Sequence, residues 1–312
     1  MILLNPRSFR MSLRGRLARI EAVANREKVP IRQVSGPEEI RSELLEGLSA
    51  GLDLLVIIGG DGTLQAAVSI LADISDGENC PEILVLGGGR TNYTARDIGT
   101  HSNLLNTLET ALKDPGQLKH SVRHTLVVEQ TDIEPAHGFF VAAGLVDFVI
   151  RDCHRYRKGG SSPFRQGHIS SAWRVMQLAV LGLLKRISYK PPELMIEADT
   201  LGKLDGPIKL LLMTSLHHRT EFVDPYAERG SGQVRLTAVN RGASAFWRRL
   251  WRLVRGRYHR SMNADNGYLS GRTDRIRIHG LCQLSLDGQE LDFDPDHQLT
   301  VRTGPAFHFL HQ

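Results

Sequence analysis

"VIIGGDGTLQAA", residues Val56 to Ala67, sets three stiff apolar residues directly against a Gly-Gly-Asp-Gly-Thr turn that opens into helix-forming residues. An unbroken apolar run of this length, closed by glycine, reads as a strand buried on both faces, the kind found in parallel sheets. The segments on either side repeat the pattern. Upstream, "MILL" is a short strand ending at Asn5-Pro6, and Met11 to Arg26 carries a helical stripe at Leu13, Leu17, Ile20 and Val23. "VPIRQVS" reads as a strand, and "GPEEIRSELLEGLSAG" as a helix with Pro37 in its first turn and Gly51 past its end. Downstream come the helix "TLQAAVSILADI", the strand "EILVLGGG" and the helix "SNLLNTLETALKD". This alternation predicts a doubly wound parallel sheet with helices on both faces.

Past Pro115 the rhythm changes. "SVRHTLVVEQ", "HGFFVAAGLVDFVI", "PPELMIEA", "PIKLLLMTSL", "GQVRLTAV", "DRIRIHG", "CQLSLDGQELDF" and "HQLTVRTG" are strand-like runs punctuated by Gly, Pro and Asp. The fold expected is therefore α/β. An N-terminal doubly wound parallel-sheet domain spans residues 1–120, and a mainly antiparallel β-sandwich domain spans 121–312, interrupted by one helix from Ser170 to Arg186.

Composition narrows the function classes. The 312 residues carry a formal charge of +5, an excess of base too small by itself to imply nucleic acid, and no nucleic-acid partner is expected. Cys80, Cys153 and Cys282 lie far apart, which excludes a zinc ribbon or a disulfide framework and fits a reducing compartment. The apolar start is too short for a signal-peptide core, and the longest candidate apolar stretch, Val175 to Leu184, is about half the ~20 residues of a membrane span. A cytoplasmic protein is expected.

The glycine turn carries the chemistry. In an open parallel sheet, ligands bind beyond the carboxyl ends of the strands. A turn entering a helix there offers unpaired N–H groups and the positive end of the helix dipole, a seat for phosphate. Gly59, Gly60 and Gly62 are expected to allow positive φ and close backbone approach, and Thr63 to cap the helix or donate to phosphate. Asp61 is informative, because an acid beside a phosphate seat is unfavourable unless it meets a metal ion or a hydroxyl proton. No Gly-Lys-Ser/Thr follows, so this is not a P-loop. "NPRS" (5–8) and "LGGGRTNYTAR" (86–96) close two further strands on the same sheet edge with Gly, Asn and hydroxyl groups.

In order and spacing, "NPRSF", "GGDGTLQ", "GRTNYTAR" and the late "DGQE" (Asp287 to Glu290) resemble the four motifs of the diacylglycerol kinase catalytic-domain family, which includes bacterial lipid kinases and the sphingosine and ceramide kinases. "AAGLVDFVI" stands where that family has a Gly-Phe-Asp-type strand. The resemblance implies an α/β nucleotide domain followed by a β-sandwich, and transfer of the γ-phosphoryl of ATP, with Mg²⁺, to a lipid hydroxyl. It implies that Asn5, Pro6, Arg7, Ser8, Phe9, Ser35, Gly59, Gly60, Asp61, Gly62, Thr63, Leu64, Gln65 and Ala66 hold the nucleotide, with Asn92 nearby and Asp61 toward the metal.

The departures bear on chemistry. Phe9 replaces the glycine ending the first motif, Arg90 replaces a threonine and could pair with phosphate, and Tyr93 replaces an acid. The family's proton acceptor is the glutamate of Asp-Gly-Glu; here Gln289 holds that place, and glutamine accepts no proton at neutral pH. Either Glu290 reaches in, or Asp287 or Asp61 serves as base, or the enzyme is slow or inactive. "PYAERGSG" (225–232) has Ser231 where the family's structural-magnesium segment has aspartate, so that metal is expected to be absent.

"FWRRLWRLVRGRYHR", Phe246 to Arg260, places Phe246, Trp247, Leu250, Trp251 and Val254 on one helical stripe among arginines, the composition of an interfacial helix on anionic lipid. The expectation is an ATP- and Mg²⁺-dependent lipid kinase acting at the inner membrane face on a diacylglycerol-like or ceramide/sphingoid acceptor. The alternatives are a non-catalytic nucleotide- or lipid-binding relative and, third, an NAD kinase-like enzyme sharing the glycine turn.

Overall fold

A computed structural model of the chain describes residues 1–8, 11, 15–75, 80–89, 93–99, 104–158, 189–217 and 224–312. Phe9, Arg90, Asn92 and the helix expected from Ser170 to Arg186 lie outside the described residues. The N-terminal strands are β1 (Ile2–Leu4), β2 (Ile31–Gln33), β3 (Leu54–Gly59) and β4 (Glu82–Gly87), all parallel, in the order β2-β1-β3-β4. Between them run α1 (Arg16–Arg26), α2 (Pro37–Ser49) and α3 (Asp61–Ser75), and after β4 come α4 (Tyr93–Ile98) and α5 (Leu104–Lys113). The pleat sends alternate residues to opposite faces. Leu55, Ile57 and Ile83 pack with Ile40 and Leu44 of α2 and Leu64, Ala67 and Leu71 of α3. Val56, Ile58 and Leu84 pack with Ile20 and Val23 of α1 and Leu108 of α5. This is the doubly wound sheet read from the sequence. Chain order reverses between β1 and β3, which makes their carboxyl ends the switch point where such sheets bind ligands.

The rest of the chain is mainly antiparallel: β5 (Lys119–Gln130), β6 (Ile133–Gly138), β7 (Phe140–Gly144), α6 (Leu145–Lys158), β8 (Glu193–Ala198), β9 (Gly202–Thr214), β10 (Val234–Asn240), α7 (Phe246–Val254), β11 (Tyr268–Thr273), β12 (Arg275–His279), β13 (Gln283–Leu286), β14 (Gln289–Asp292) and β15 (Leu299–His311). β9 belongs to two layers. Residues 202–207 pair with β8, and the remainder pairs with β7 and β10. Gly206, left-handed at φ 109°, sits at the bend, where a Cβ would meet the Asn240 side chain at 2.8 Å. Ile196, Ile276 and Val301 of one layer face Val141, Leu236, Met213 and Leu284 of the other across a shared core.

Three readings are corrected. "LVDFVI" at 145–150 is the start of α6, not strand. Gly144 at φ 72° ends β7 where a Cβ would lie 2.8 Å from the Lys209 carbonyl oxygen, and Val146 and Ile150, one helical turn apart, pack on Ala142, Leu212 and Tyr226. Strand-like composition lost to tertiary burial of a helical stripe. The basic helix stops at Val254, because Gly256 turns left-handed (φ 63°) against the Asp224 and Tyr226 carbonyls. Its apolar stripe is also divided. Phe246, Leu250 and Leu253 face the body, while Trp247 and Trp251 are 67% and 63% exposed.

The two halves are joined by strands as well as by packing. The C-terminal strand β15 leaves the sandwich, where it pairs with β12, and ends parallel to β4 with Phe309 opposite Ile83. Its Phe309 ring meets Phe139 edge-on at 6.2 Å. Sequence periodicity did not show that the last residues complete the first sheet.

Candidate phosphate-binding and catalytic site

Three turns close on one another at the β1/β3 switch point. Asn5 ends β1. Its Oδ1 accepts the Arg7 N–H at 3.0 Å and its Nδ2 donates to Thr63 Oγ1 at 3.0 Å, so the side-chain amide fastens the first turn to the glycine turn. Ser8 Oγ donates to the Asn5 carbonyl at 2.8 Å. The Gly88 N–H donates to the Gly59 carbonyl at 2.6 Å, bringing the turn after β4 alongside. The Thr94 N–H approaches Asp61 Oδ1 at 3.4 Å, which brings the first turn of α4 to the same place.

The glycines serve a different purpose from the one expected. None of Gly59, Gly60 and Gly62 adopts a positive φ. Gly59 is required for space: a Cβ there would lie 2.7 Å from the Thr63 side chain. At Gly88 a Cβ would fall 2.8 Å from Ser8 Oγ and 3.3 Å from the Gly59 Cα. Around Gly62 there is no atom within 4 Å of a Cβ position, so the first turn of α3 presents its backbone to open space. The Gly60 carbonyl starts α3 by accepting from Thr63 and Leu64 N–H. Thr63 Oγ1 accepts from Asn5, which leaves its own proton to donate.

Other residues assigned to the nucleotide are distributed differently. Leu64 is buried in the core, and the Gln65 amide donates to the His137 carbonyl of β6 at 3.0 Å, joined there by Ser69 Oγ at 2.8 Å. These side chains latch α3 to the sandwich. Ser35 stands exposed past β2, its N–H held by Glu39 at 2.6 Å.

The late Asp-Gly pair forms the two-residue turn between β13 and β14, with Asp287 at φ 49° and Gly288 at φ 87°, as such hairpin turns demand. It is also clasped to the neighbouring strand β7 and the residue before it. Asp287 Oδ2 accepts the Phe139 N–H and Oδ1 the Phe140 N–H, both at 2.9 Å. Gly138 admits this clasp, since a Cβ there would lie 2.7 Å from Asp287 Oδ2. The residue keeps some surface at the turn, but its carboxyl is withdrawn from water. Burial pushes that carboxyl up to about 7 against the two N–H bonds, and the negative charge of Asp61 adds to the rise. A carboxyl that changes charge near neutrality has the proton affinity a general base needs.

The neighbours of Asp287 diverge. Gln289 is exposed in the hairpin. Glu290 meets Arg151 of α6 at 3.5 Å, beside Asp292 on the same guanidinium at 3.1 Å. The segment 225–232 is knit by protein partners: the Pro225 carbonyl accepts from Thr237 and Tyr258, and Glu228 faces Arg272 at 3.7 Å. Sequence reading missed the Phe139–Phe140 clasp, for which no local signal exists, and the Gln65–His137 latch.

Comparison with known proteins agrees with this geometry. Residues 1–120 match the family described as the diacylglycerol kinase catalytic domain. No curated protein matches the chain. Among solved structures, a diacylglycerol kinase from Bacillus anthracis str. Sterne superposes with a TM-score of 0.62 at 14% identity, over 100% of this chain and 96% of that one. Two further structures from the same strain, assigned as diacylglycerol kinases, give TM-scores of 0.65 at 14% and 0.63 at 16% identity, with the same coverage. At such identities the likeness speaks for the fold. The family likeness rests on the N-terminal match: residues 1–120, well under half of the chain, are similar to the diacylglycerol kinase catalytic-domain family.

Proposed function

We propose that the protein is an ATP- and Mg²⁺-dependent kinase that transfers the γ-phosphoryl group to a lipid hydroxyl of the diacylglycerol or ceramide/sphingoid type. The observation that carries this reading is the convergence of the three turns at the switch point, with the buried Asp287 carboxyl near enough to feel the charge of Asp61.

In this reading residues 1–120 hold the nucleotide and 121–312 the acceptor. The first-turn amides of α3 and the Thr63 hydroxyl bind phosphate oxygens, and Gly59 and Gly88 keep the floor free of side chains. Asp287 accepts the acceptor hydroxyl's proton as that hydroxyl's oxygen attacks the γ-phosphorus in line, the bond from the γ-phosphorus to the β,γ-bridging oxygen breaks, and ADP leaves with that oxygen. The charge of Asp61 adds to the burial that raises the Asp287 carboxyl, and Asp61 itself offers a carboxylate to a cation. That donor fits magnesium, which binds through one or two carboxylates plus substrate phosphates and, when bound, neutralises charge on the transferring group. Among the described residues no cluster of three or more His, Cys, Asp or Glu forms a self-sufficient metal cage, which suits a metal carried in with the nucleotide.

One observation favours a second reading, a nucleotide-binding relative without turnover: Gln289 is exposed and Glu290 is held by Arg151, so neither supplies the family's base. An assay with γ-labelled ATP and mixed micelles of diacylglycerol or ceramide separates the two. Label in lipid supports the kinase, and nucleotide binding with no labelled lipid supports the relative. Label in NADP when NAD is the acceptor overturns both.

A further inference from the structure

Among the described residues nothing covers the exposed side of α7, and its chemistry is specific. Leu253 is buried, with Phe246 and Leu250 against Val239, Met262 and Tyr268, and this stripe fixes the helix to the body. Arg249 is turned inward, donating to Ser244 and Ser261. About 100° further round the helix stand Trp247 and Trp251, one turn apart and both largely exposed. An amphipathic helix that needs only one apolar face for its own domain has no structural use for a second.

Basic clefts flank the pair. One, of about 530 Å³, is lined by Trp251, Arg252, Arg255, Arg257, Tyr258 and His259, with the Arg255 guanidinium 4.4 Å from the Trp251 ring. The other, of about 450 Å³, is lined by residues including Lys209, Arg241, Phe246, Trp247 and Arg248. There the Lys209 ammonium lies 4.1 Å over the Phe246 ring and 5.0 Å from that of Trp247. None of Lys209, Arg241, Arg248, Arg252, Arg255 and Arg257 makes an ion pair with a described acid. Burial and the nearby Arg241 both hold the Lys209 ammonium below its ordinary range, a strain that an arriving anion relieves.

We infer that α7 is the membrane dock of this protein, with Trp247 and Trp251 entering the acyl boundary of an anionic bilayer and the two flanking clefts each receiving a lipid phosphate. Neither half suffices alone. Tryptophan pairs sit well at any bilayer interface, and arginine clefts attract any polyanion, but the two interleaved on one rigid face fit an anionic lipid surface. The helix meets it side-on. No described helix is long and apolar enough to cross a membrane, which suits attachment by a face.

The test is sedimentation of the full chain, without nucleotide or acceptor, with phosphatidylcholine vesicles and with the same vesicles containing 30 mol% phosphatidylglycerol, a lipid fraction set at roughly physiological surface potential. Binding to the anionic vesicles alone is expected. R248Q/R252Q/R255Q should weaken it about a hundredfold, at about fivefold per arginine near the surface. W247A/W251A should weaken it at least roughly tenfold, because apolar area no longer enters the lipid. Since both tryptophans are exposed, thermal unfolding of W247A/W251A should match that of the parent chain. Quenching of the parent's tryptophan emission by brominated phosphatidylglycerol, lost in W247F/W251F, gives a readout that needs no truncation. Equal binding to neutral vesicles, or unchanged binding by W247A/W251A, overturns the dock. So does tight binding to an RNA homopolymer with none to vesicles. Because binding is read without phosphoryl transfer, its failure leaves the kinase reading standing, and the reverse holds.

Discussion

The Asp287 carboxyl makes the most demanding test, because one substitution should move stability and activity in opposite directions. The folded chain holds this proton up to about pH 7, whereas an unfolded aspartate releases it near 3.8. Between those values the folded state binds more protons than the unfolded, so stability falls as pH rises. The contribution is fully present below 3.8 and lost above about 7. At about 1.4 kcal/mol per pH unit, this carboxyl alone should make the native chain ~2–3 kcal/mol less stable at pH 8 than at pH 5. Asp287→Asn abolishes that slope. It leaves one of the Phe139 and Phe140 N–H groups without its acceptor, at a cost of about 1–3 kcal/mol, so at pH 8 the variant should be at least as stable as the parent. Phosphoryl transfer should meanwhile fall by roughly 10²–10⁴ for want of a base. Urea unfolding of both proteins at pH 5 and pH 8 gives the difference of slopes, and in that difference titrations elsewhere, such as that of the buried His137, cancel. Identical slopes in the two proteins would refute the claim that this carboxyl is desolvated.

Asp61→Asn should remove the like charge facing Asp287, shifting the acidic limb of the pH–rate profile toward lower pH while transfer drops; an unmoved limb disconnects the two acids. Gly138→Ala should cost about 1–3 kcal/mol in denaturant unfolding and depress kcat, since the new Cβ meets Leu286 Cδ1 at 2.6 Å and displaces the Asp287 turn. Gln65→Ala and Ser69→Ala should each cost about 1 kcal/mol, because the other donor still serves the His137 carbonyl, whereas the double variant should cost more than their sum; a double-mutant cycle checks the coupling. Gln289→Glu tests the base from the other side. No rise in kcat is expected if Asp287 already takes the proton.

The sequence by itself determined the first sheet, its helices on both faces, and the edge on which Asn5, Gly59 to Thr63 and Gly87 to Gly89 gather. Those follow from local periodicity and from the rule that parallel strands offer their carboxyl ends to ligands, and both are written within a few residues of each position. It also singled out Asp287 through its Asp-Gly pair. Only the tertiary structure decided what these residues touch. Gly59 is glycine because the Thr63 side chain folds back onto it, not because of its own φ, and Gly88 is glycine because Ser8 and the Gly59 backbone close on it, an approach no window of sequence records. "LVDFVI" became helix because Gly144 breaks the strand and a helical stripe finds Tyr226 to pack on. The stripe of α7 divided between core and solvent because Val239 and Tyr268 cover only part of it. The Asp287 carboxyl is brought within the field of Asp61, some two hundred positions away in the chain, by the tertiary fold. Desolvation, which sets its proton affinity, is a property of that enclosure and not of the aspartate.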